Sequence, residues 1–600
     1  MRLASTHVLR LSQGSLAHRR ELSGAVAPPE RNGHPVPGEF SAGWQGWYYE
    51  RVNKKHILWA ILLIATLLRI VNLASGDITG SDEVFYAFRA VGPLDFDNAP
   101  NQTTPLEWQD PNVQWWTKLS MHDHPLLVFW VQHISMGIFG ENNFGFRFPS
   151  AVLGIASVYL VYLIARKLIS ENAGLFSAAL TAVTINHVYI SRLGLQESFV
   201  IFFLLLCTYL FLKALDNPRF FIWTGVALGF AFLTKYTTFV AVPIFLSYLI
   251  LFRRDAFRAK QFWLAVAATC LVASPILVYN LQLYRLAGHF DFQFSFIFGQ
   301  DPEVWQSAPG KEEVGSLADR ARDFIPNLLN SNSWLFLALV ATAVGYFVIR
   351  AVQKKDRELL RQKALIDISL AWLILLLLFI GPTFRFLTLL TPFLAIKAGV
   401  FLSEIYSRDR LKKIMTVACG AILIWEMFYT TNSVVTNYPA GPQFWLWSKI
   451  RYDNYNWGAN ELENYLAAEL SGKYPLLTFD AKYKFLEDLK RSNVESAKAG
   501  GAQPYAAMII YSPVQKAAQL WSLDRRQIYY GWPVLTDEAF SAALGKFGPD
   551  YFVKSGIRAY YYITEQETQI EKQLSTGGFE PISLKNKRGE DVFRVYKFAL

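Results

Sequence analysis

The constraint that dominates this sequence is a series of apolar runs long enough to cross a lipid bilayer, separated by short basic loops. A spanning helix takes roughly 20 mostly apolar residues, and its backbone polar groups must be satisfied within the segment. A chain with several such runs folds as a polytopic α-helical membrane protein. Lys and Arg near span ends stay on the cytoplasmic side, so the loops orient the runs. The first run, Ile57–Ala74, follows Arg51, Lys54 and Lys55, which sets the N-terminus inside. Five later runs end at basic clusters. Phe148–Leu168 ends in Arg166-Lys167, Phe199–Leu215 near Lys213 and Arg219, and Tyr236–Phe252 in Arg253-Arg254. Trp334–Arg350 runs into Lys354-Lys355, and Phe386–Glu404 into Arg408, Arg410, Lys412 and Lys413. The runs that return outward are Ala173–Ile190, Phe220–Thr234, Phe262–Leu283, Ala364–Ile380 and Ile414–Tyr429. The pattern predicts about eleven transmembrane helices, with the C-terminus outside. Pro125–Phe139 is apolar but short, and contains Gln132 and His133, so it reads as a helix lying at the outer face.

Three regions follow. Residues 1–55 are polar, with Pro and Gly and no signal-peptide core, and read as a disordered cytoplasmic leader. Residues 56–430 form the transmembrane body, with 75–146 as an outer loop. Residues 431–600 are soluble in character and read as a small extracytoplasmic α/β domain. In it Pro475–Asp480, Ala506–Tyr511 and Ala559–Ile563 read as strands, and Gln515–Leu523, Thr536–Leu544 and Glu565–Leu574 as helices. The three cysteines, Cys207, Cys270 and Cys419, all lie in apolar runs, so neither a disulfide framework nor a thiolate metal site follows. Much of the net charge of +10 lies in the short loops that set topology, so it does not signal a nucleic-acid partner.

With this topology an unusual set of polar residues faces the outer compartment. Asp82 and Glu83 lie in Thr79-Gly80-Ser81-Asp82-Glu83-Val84-Phe85-Tyr86, and Asp123 and His124 in Met121-His122-Asp123-His124-Pro125. Arg192 and Glu197 lie between two runs, as does Lys235; His289 and Arg385 lie in further outer loops. Each has a plain structural reading. Asp82 and Glu83 suit the positive N-terminus of a helix capped by Ser81. Glu197 could pair with Arg192, His289 could be structural, and Lys235 and Arg385 could snorkel to headgroups. Several of these must hold at once on one face, whereas one chemistry accounts for the set: transfer from a lipid phosphate. A carboxylate takes a proton from an acceptor hydroxyl, while cationic groups, with or without a divalent metal, hold the leaving phosphate. Trp115, Trp116 and Trp305 fit an interfacial belt, or a surface that stacks on sugar rings. The alternative class is a transporter or flippase of lipid-linked or small polar substrates. Transporters place ionisable groups near the midplane, in broken helices of paired repeats. Here the groups cluster at one rim, and no repeat is evident.

Five motifs resemble the membrane glycosyltransferases of the protein O-mannosyltransferase and aminoarabinose transferase group. They are Asp82-Glu83-Val84-Phe85-Tyr86-Ala87, His124-Pro125-Leu126, the stretch from Arg147-Phe148-Pro149 through Arg166-Lys167 to Ala173-Gly174-Leu175, Leu233-Thr234-Lys235, and Arg385-Phe386-Leu387 followed by Thr391-Pro392. Leu126 replaces a usual proline, and Phe386 a usual tyrosine. The resemblance covers about residues 56–405 and implies a GT-C fold. It implies inverting transfer from a polyprenyl-phosphate sugar to a protein, lipid or surface glycan, in a bacterial or archaeal plasma membrane rather than the endoplasmic reticulum. Asp82 would be the catalytic base, with Glu83 beside it and Glu197 as the second acid. Asp123 and His289 would be divalent-metal ligands, and His124 stands where the aminoarabinose transferases place a phosphate-binding lysine. Lys235 and Arg385 would attend the phosphate, with Arg192 as a further substrate-binding group.

Overall fold

The computed structural model describes residues 39–78, 81–97, 104–306, 315–353, 357–450, 456–512, 518–548, 550–565 and 567–599. Most of the expected leader, Thr79-Gly80, the basic pair Lys354-Lys355 and the start of the expected helix Gln515–Leu523 lie outside these residues. The chain divides into two units, Met1–His56 and Ile57–Leu600, and every contact described here lies within the second.

The apolar runs fold as helices. The first are α1 (Glu39–Ile70), α2 (Ser81–Val91), α3 (Leu127–Phe139), α4 (Asn143–Leu168), α5 (Glu171–Val183), α6 (Ile185–Ser191), α7 (Glu197–Asp216) and α8 (Phe220–Phe232). A 3-10 turn, Tyr236–Val240, leads into α9 (Ala241–Phe252). Then come α10 (Lys260–Val272), α11 (Ser274–Ala287), α12 (Leu317–Ser331), α13 (Trp334–Val352), α14 (Arg357–Ile380), α15 (Thr391–Tyr406) and α16 (Lys412–Thr430). Among the described residues six helices are long and apolar enough to cross a membrane, or eight if each of two bent pairs counts as one span. That is fewer than the eleven expected. The runs at 220–234 and 236–252 form apolar helices of under 18 residues. Two expected straight spans are bent, α5 with α6 by 63° and α10 with α11 by 58°.

The bend after α5 exposes carbonyls that need partners. Arg69 of α1 supplies them, donating to Ala182 O at 3.0 Å and Thr181 O at 3.2 Å. Arg192, just after α6, does the reverse: it donates to Leu68 O, Val71 O and Asn72 O at the end of α1, at 2.8–3.0 Å. Each arginine thus closes the helix end of the other's partner, and both are buried. Close helix packing elsewhere uses small residues. At Gly399 of α15 a Cβ would lie 2.2 Å from Ser177 Oγ of α5, so only glycine fits that crossing.

Beyond α16 the chain carries strands β1 (Lys473–Pro475), β2 (Gln503–Tyr505), β3 (Ala507–Tyr511), β4 (Val534–Thr536), β5 (Ala559–Thr564), β6 (Ile582–Lys585) and β7 (Asp591–Phe598). β1 and β2 pair in parallel. The rest form one sheet in the order β4-β3-β5-β7-β6, parallel across β4-β3-β5 and antiparallel across β5-β7-β6. Alternate residues of β3 and β5 enter opposite cores, as a period of two demands. Ile509, Tyr561 and Ile563 pack with Leu462 and Leu466 on one face, and Met508, Ile510, Tyr560 and Tyr562 with Phe540 on the other. Helix α17 (Ala459–Leu470) precedes β1, α18 (Lys484–Ala499) joins β1 to β2, and α19 (Arg525–Tyr530) lies between β3 and β4. The sequence reading located β3 and β5. It had no strand at 582–598 and no helix at 459–470 or 484–499.

Candidate active site

Asp82 stands in the first turn of α2, and its carboxylate pairs with the Arg385 guanidinium. Arg385 lies in a short helical turn, Phe384–Leu387, after Gly381-Pro382. It also lies 4.6 Å from the Phe386 ring centroid. Lys235 Nζ reaches the same ring at 5.0 Å and donates to Glu197 Oε1 at 2.7 Å. Four charged groups from four separate elements are therefore linked through one aromatic ring. Cation–π contact holds a cation in place without neutralising it. Glu197 Oε2 is buried with no hydrogen-bond partner, as are both side-chain polar atoms of Gln196.

The adjacent acid has other surroundings. Glu83 is buried, and both its oxygens are taken by Arg147 in a bidentate pair at 2.8 Å. Oε1 also accepts from the Gly194 N–H at 2.7 Å. Arg147 itself is fully buried in α4 and donates to Leu73 O, Gly76 O and Asp77 O. This one guanidinium ties α4 to the turn that precedes α2 and to the first turn of α2. Glu83 therefore faces protein, whereas the Asp82 side chain keeps 35% of its surface exposed.

The polar knot at 121–125 forms a second centre. Asp123 accepts from Arg89 at 2.8 and 3.0 Å and lies 3.0 Å from His124 Nδ1. His124 Nε2 lies 3.1 Å from the Tyr86 hydroxyl. Burial holds the His124 imidazole below its ordinary value despite Asp123, so it is neutral at pH 7. His122 is the opposite case. Its Nδ1 lies 2.7 Å from Asp95 and its Nε2 3.4 Å from Asp97. Burial alone would lower His122, but the charges of Asp95 and Asp123 and its hydrogen bonds to Asp95 and Asp97 push it up to about 10. Asp123 is held well below the usual carboxylate range, because Arg89 and the two histidines outweigh its burial.

Of the residues expected from sequence, the structure joins Asp82, Arg385, Lys235 and Glu197 in one chain of contacts, and Asp123 with His124 in another. It gives Glu197 to Lys235 rather than to Arg192, whose guanidinium is spent on the end of α1. His289 is not brought into a ligand set with Asp123. Its Nδ1 lies 2.7 Å from Phe290 O, and its ring packs on Trp305 and Trp108 at 5.4 and 6.1 Å. Of the expected aromatic surface, Trp116 and Trp305 are buried, and Trp115 is exposed. Among the described residues the one group that could hold a metal is Asp95, His122 and Asp123. Its donors do not fit a divalent ion as they stand. His122 is protonated, both Asp95 oxygens accept from His122, and both Asp123 oxygens are taken by Arg89. A metal ligand must instead present a free lone pair.

Sequence reasoning did not assign roles to Tyr86, Arg89, Asp95, His122, Arg147 or Phe386. One signal was available for Arg147: a charged residue in the second turn of a largely apolar helix needs a buried partner.

A family model described as dolichyl-phosphate-mannose-protein mannosyltransferase matches residues 123–279. An undecaprenyl phosphate-alpha-4-amino-4-deoxy-L-arabinose arabinosyl transferase of Pseudomonas savastanoi is 28% identical over 231 residues, 37% of this chain and 39% of that protein. A transferase of the same description from Proteus mirabilis is 26% identical over 162 residues, 26% of this chain and 29% of that protein. The chain thus spans well under half the length of these two curated relatives. The crystal structure of ArnT from Cupriavidus metallidurans bound to undecaprenyl phosphate superposes with a TM-score of 0.50 at 13% identity, covering 90% of this chain and 97% of that one. In fold over most of its length, and in sequence across residues 123–279, this chain is similar to the GT-C glycosyltransferases of the protein mannosyltransferase and aminoarabinose transferase group.

Proposed function

We propose that the protein is an inverting glycosyltransferase that moves a sugar from a polyprenyl-phosphate donor to an acceptor on the outer face of the membrane. The observation that carries this reading is the Asp82–Arg385 pair beside Lys235, with both cations held against Phe386. The site contains a part-exposed carboxylate next to two ordered cations, and transfer from a lipid phosphate needs those groups. The relatives' described activities support transfer rather than transport.

Asp82 takes the proton of the acceptor hydroxyl as its oxygen bonds to the anomeric carbon. The bond from that carbon to the phosphate oxygen breaks on the opposite side, so the configuration inverts. Negative charge grows on the departing polyprenyl phosphate, where Arg385 and Lys235 stabilise it. Neutral His124 offers a hydrogen bond to the same group. Donor entry draws Arg385 from Asp82 to a phosphate oxygen, which it can grip with two parallel hydrogen bonds, and leaves the carboxylate free to accept a proton. Glu197 holds Lys235 in place through its 2.7 Å contact. Glu83 and Arg192 serve as positioning groups, and no step runs through a metal. The acceptor is a protein, lipid or surface glycan, and the sheet-bearing segment forms an extracytoplasmic domain above the site.

The test is incubation of the full chain in lipid nanodiscs with labelled polyprenyl-phosphate sugars and an extract of candidate acceptors. Release of polyprenyl phosphate coupled to labelled product is the expected result. A wild-type protein that turns over none of a broad sugar panel and binds none of the donor lipids overturns the reading.

A further inference from the structure

Two helices of the C-terminal segment begin on carboxylates that belong to the first outer loop. Helix α17 has no side-chain cap of its own: Gly458 stands at its N-cap with φ +102°. Asp77 supplies the cap. Its carboxylate accepts backbone N–H groups from Trp457, Gly458 at 3.0 Å, Ala459 at 3.3 Å and Asn460 at 2.9 Å, and it is buried. Asn460 returns a bond to Ala74 O at 3.1 Å. Helix α18 likewise lacks its own cap, and Asp110 accepts from Lys484 N at 2.9 Å and Phe485 N at 3.1 Å. A carboxylate at a helix N-terminus satisfies free N–H groups and meets the positive end of the dipole.

These two acids bracket α2. Asp77 lies just before it, Asp110 follows it, and a third contact lands on its body. Tyr529 of α19 donates its hydroxyl to Phe88 O at 2.9 Å and packs its ring on Phe88 at 5.1 Å. The fit is close at the end of α2, where a Cβ on Gly92 would lie 2.7 Å from the Tyr529 ring. Arg147 grips the same turn from the other side, through Gly76 O and Asp77 O. The turn before α2 is thus held between a membrane helix and the C-terminal segment.

We infer that the C-terminal segment is a positioning element of the transfer site. It holds α2, and so Asp82, in register with Arg385 and Lys235, which stand on other elements. This rests on the proposed transferase reading, and Asp77 and Tyr529 are its positioning residues. Because the donor-phosphate cations do not stand on α2, loosening the clamp slows transfer without weakening donor capture.

The experiment uses the full chain in nanodiscs with Asp77→Asn and, separately, the milder Tyr529→Phe, which keeps the ring and removes the hydroxyl. Turnover, donor KM and amide hydrogen exchange of residues 81–91 are measured together. The expected result is a kcat at least tenfold lower in Asp77→Asn, a smaller fall in Tyr529→Phe, donor KM within twofold, and faster exchange across α2 in both. Unchanged exchange across α2 in both variants overturns the inference, as does a raised donor KM at unchanged kcat. If the wild type transfers no sugar, the transferase reading fails, and the exchange data still decide the clamp.

Discussion

Asp82 and Arg385 stand 303 residues apart in the chain and meet as an ion pair. The carboxylate comes from the first turn of α2 and the guanidinium from a turn between two late helices, so only the packed bundle creates the pair.

Replacing Asp82 by Asn keeps the shape and removes the proton acceptor. Transfer should fall ~10²–10⁴-fold, the usual contribution of a general base. Fold and donor binding should persist. Single-turnover rates with bound donor check this, and activity within threefold of wild type would move the role to another carboxylate.

Arg385 and Lys235 should respond differently to conservative exchange. Arg grips an oxyanion with two parallel hydrogen bonds, whereas Lys acts as a point charge. Arg385→Lys should therefore lose most activity and weaken donor binding, although its charge is kept. Lys235→Arg should be milder if the space beside Glu197 accepts the larger head. Donor-lipid titration in matched nanodiscs measures both, and wild-type values for Arg385→Ala would leave only a headgroup anchor.

The buried pair of Glu83 and Arg147 should matter to stability more than to proton transfer. Arg147→Met strands a carboxylate with little solvent, and breaking such a pair typically costs ~3–5 kcal/mol. Adding Glu83→Leu removes the stranded charge and should restore part of the loss. Thermal unfolding of the two variants in the same detergent tests this; equal stability of single and double variants would argue against the pair.

His122 predicts a pH dependence on the alkaline side. Its folded value of about 10 lies above the ordinary 6.5, so protonation favours the fold. That contribution is complete below pH 6.5 and is lost as pH rises toward 10. The slope is at most about 1.4 kcal/mol per pH unit. Melting temperatures between pH 7 and 10 should fall more steeply for wild type than for His122→Asn, and parallel curves would refute the ion pair.

Orientation can be tested at two exposed positions. In a Cys270→Ser background, Ser541→Cys should react with a membrane-impermeant maleimide added outside intact cells, and Arg258→Cys only after lysis. The reverse pattern would place the whole site on the cytoplasmic side and sink the proposed function.

Hydropathy is a local property, so the order of the apolar runs and the basic loops between them could be read from the chain alone. So could the motifs at 82–87, 124–126, 147–175, 233–235 and 385–392, because each is a short contiguous pattern. The bend after α10 falls at Ser274-Pro275, a local signal, whereas the bend after α5 was not legible, since it depends on a distant group, Arg69, to satisfy the freed carbonyls. Neither were the caps on α17 and α18, which come from residues hundreds of positions earlier. The sharpest case is the pair Asp82 and Glu83. The resemblance favours Asp82, but composition alone does not separate two adjacent acids, and successive residues on a helix point about 100° apart. Packing then buries one against Arg147 and leaves the other facing Arg385. Which acid is free to do chemistry is decided by which side of α2 the rest of the protein covers, and only the tertiary structure sets that.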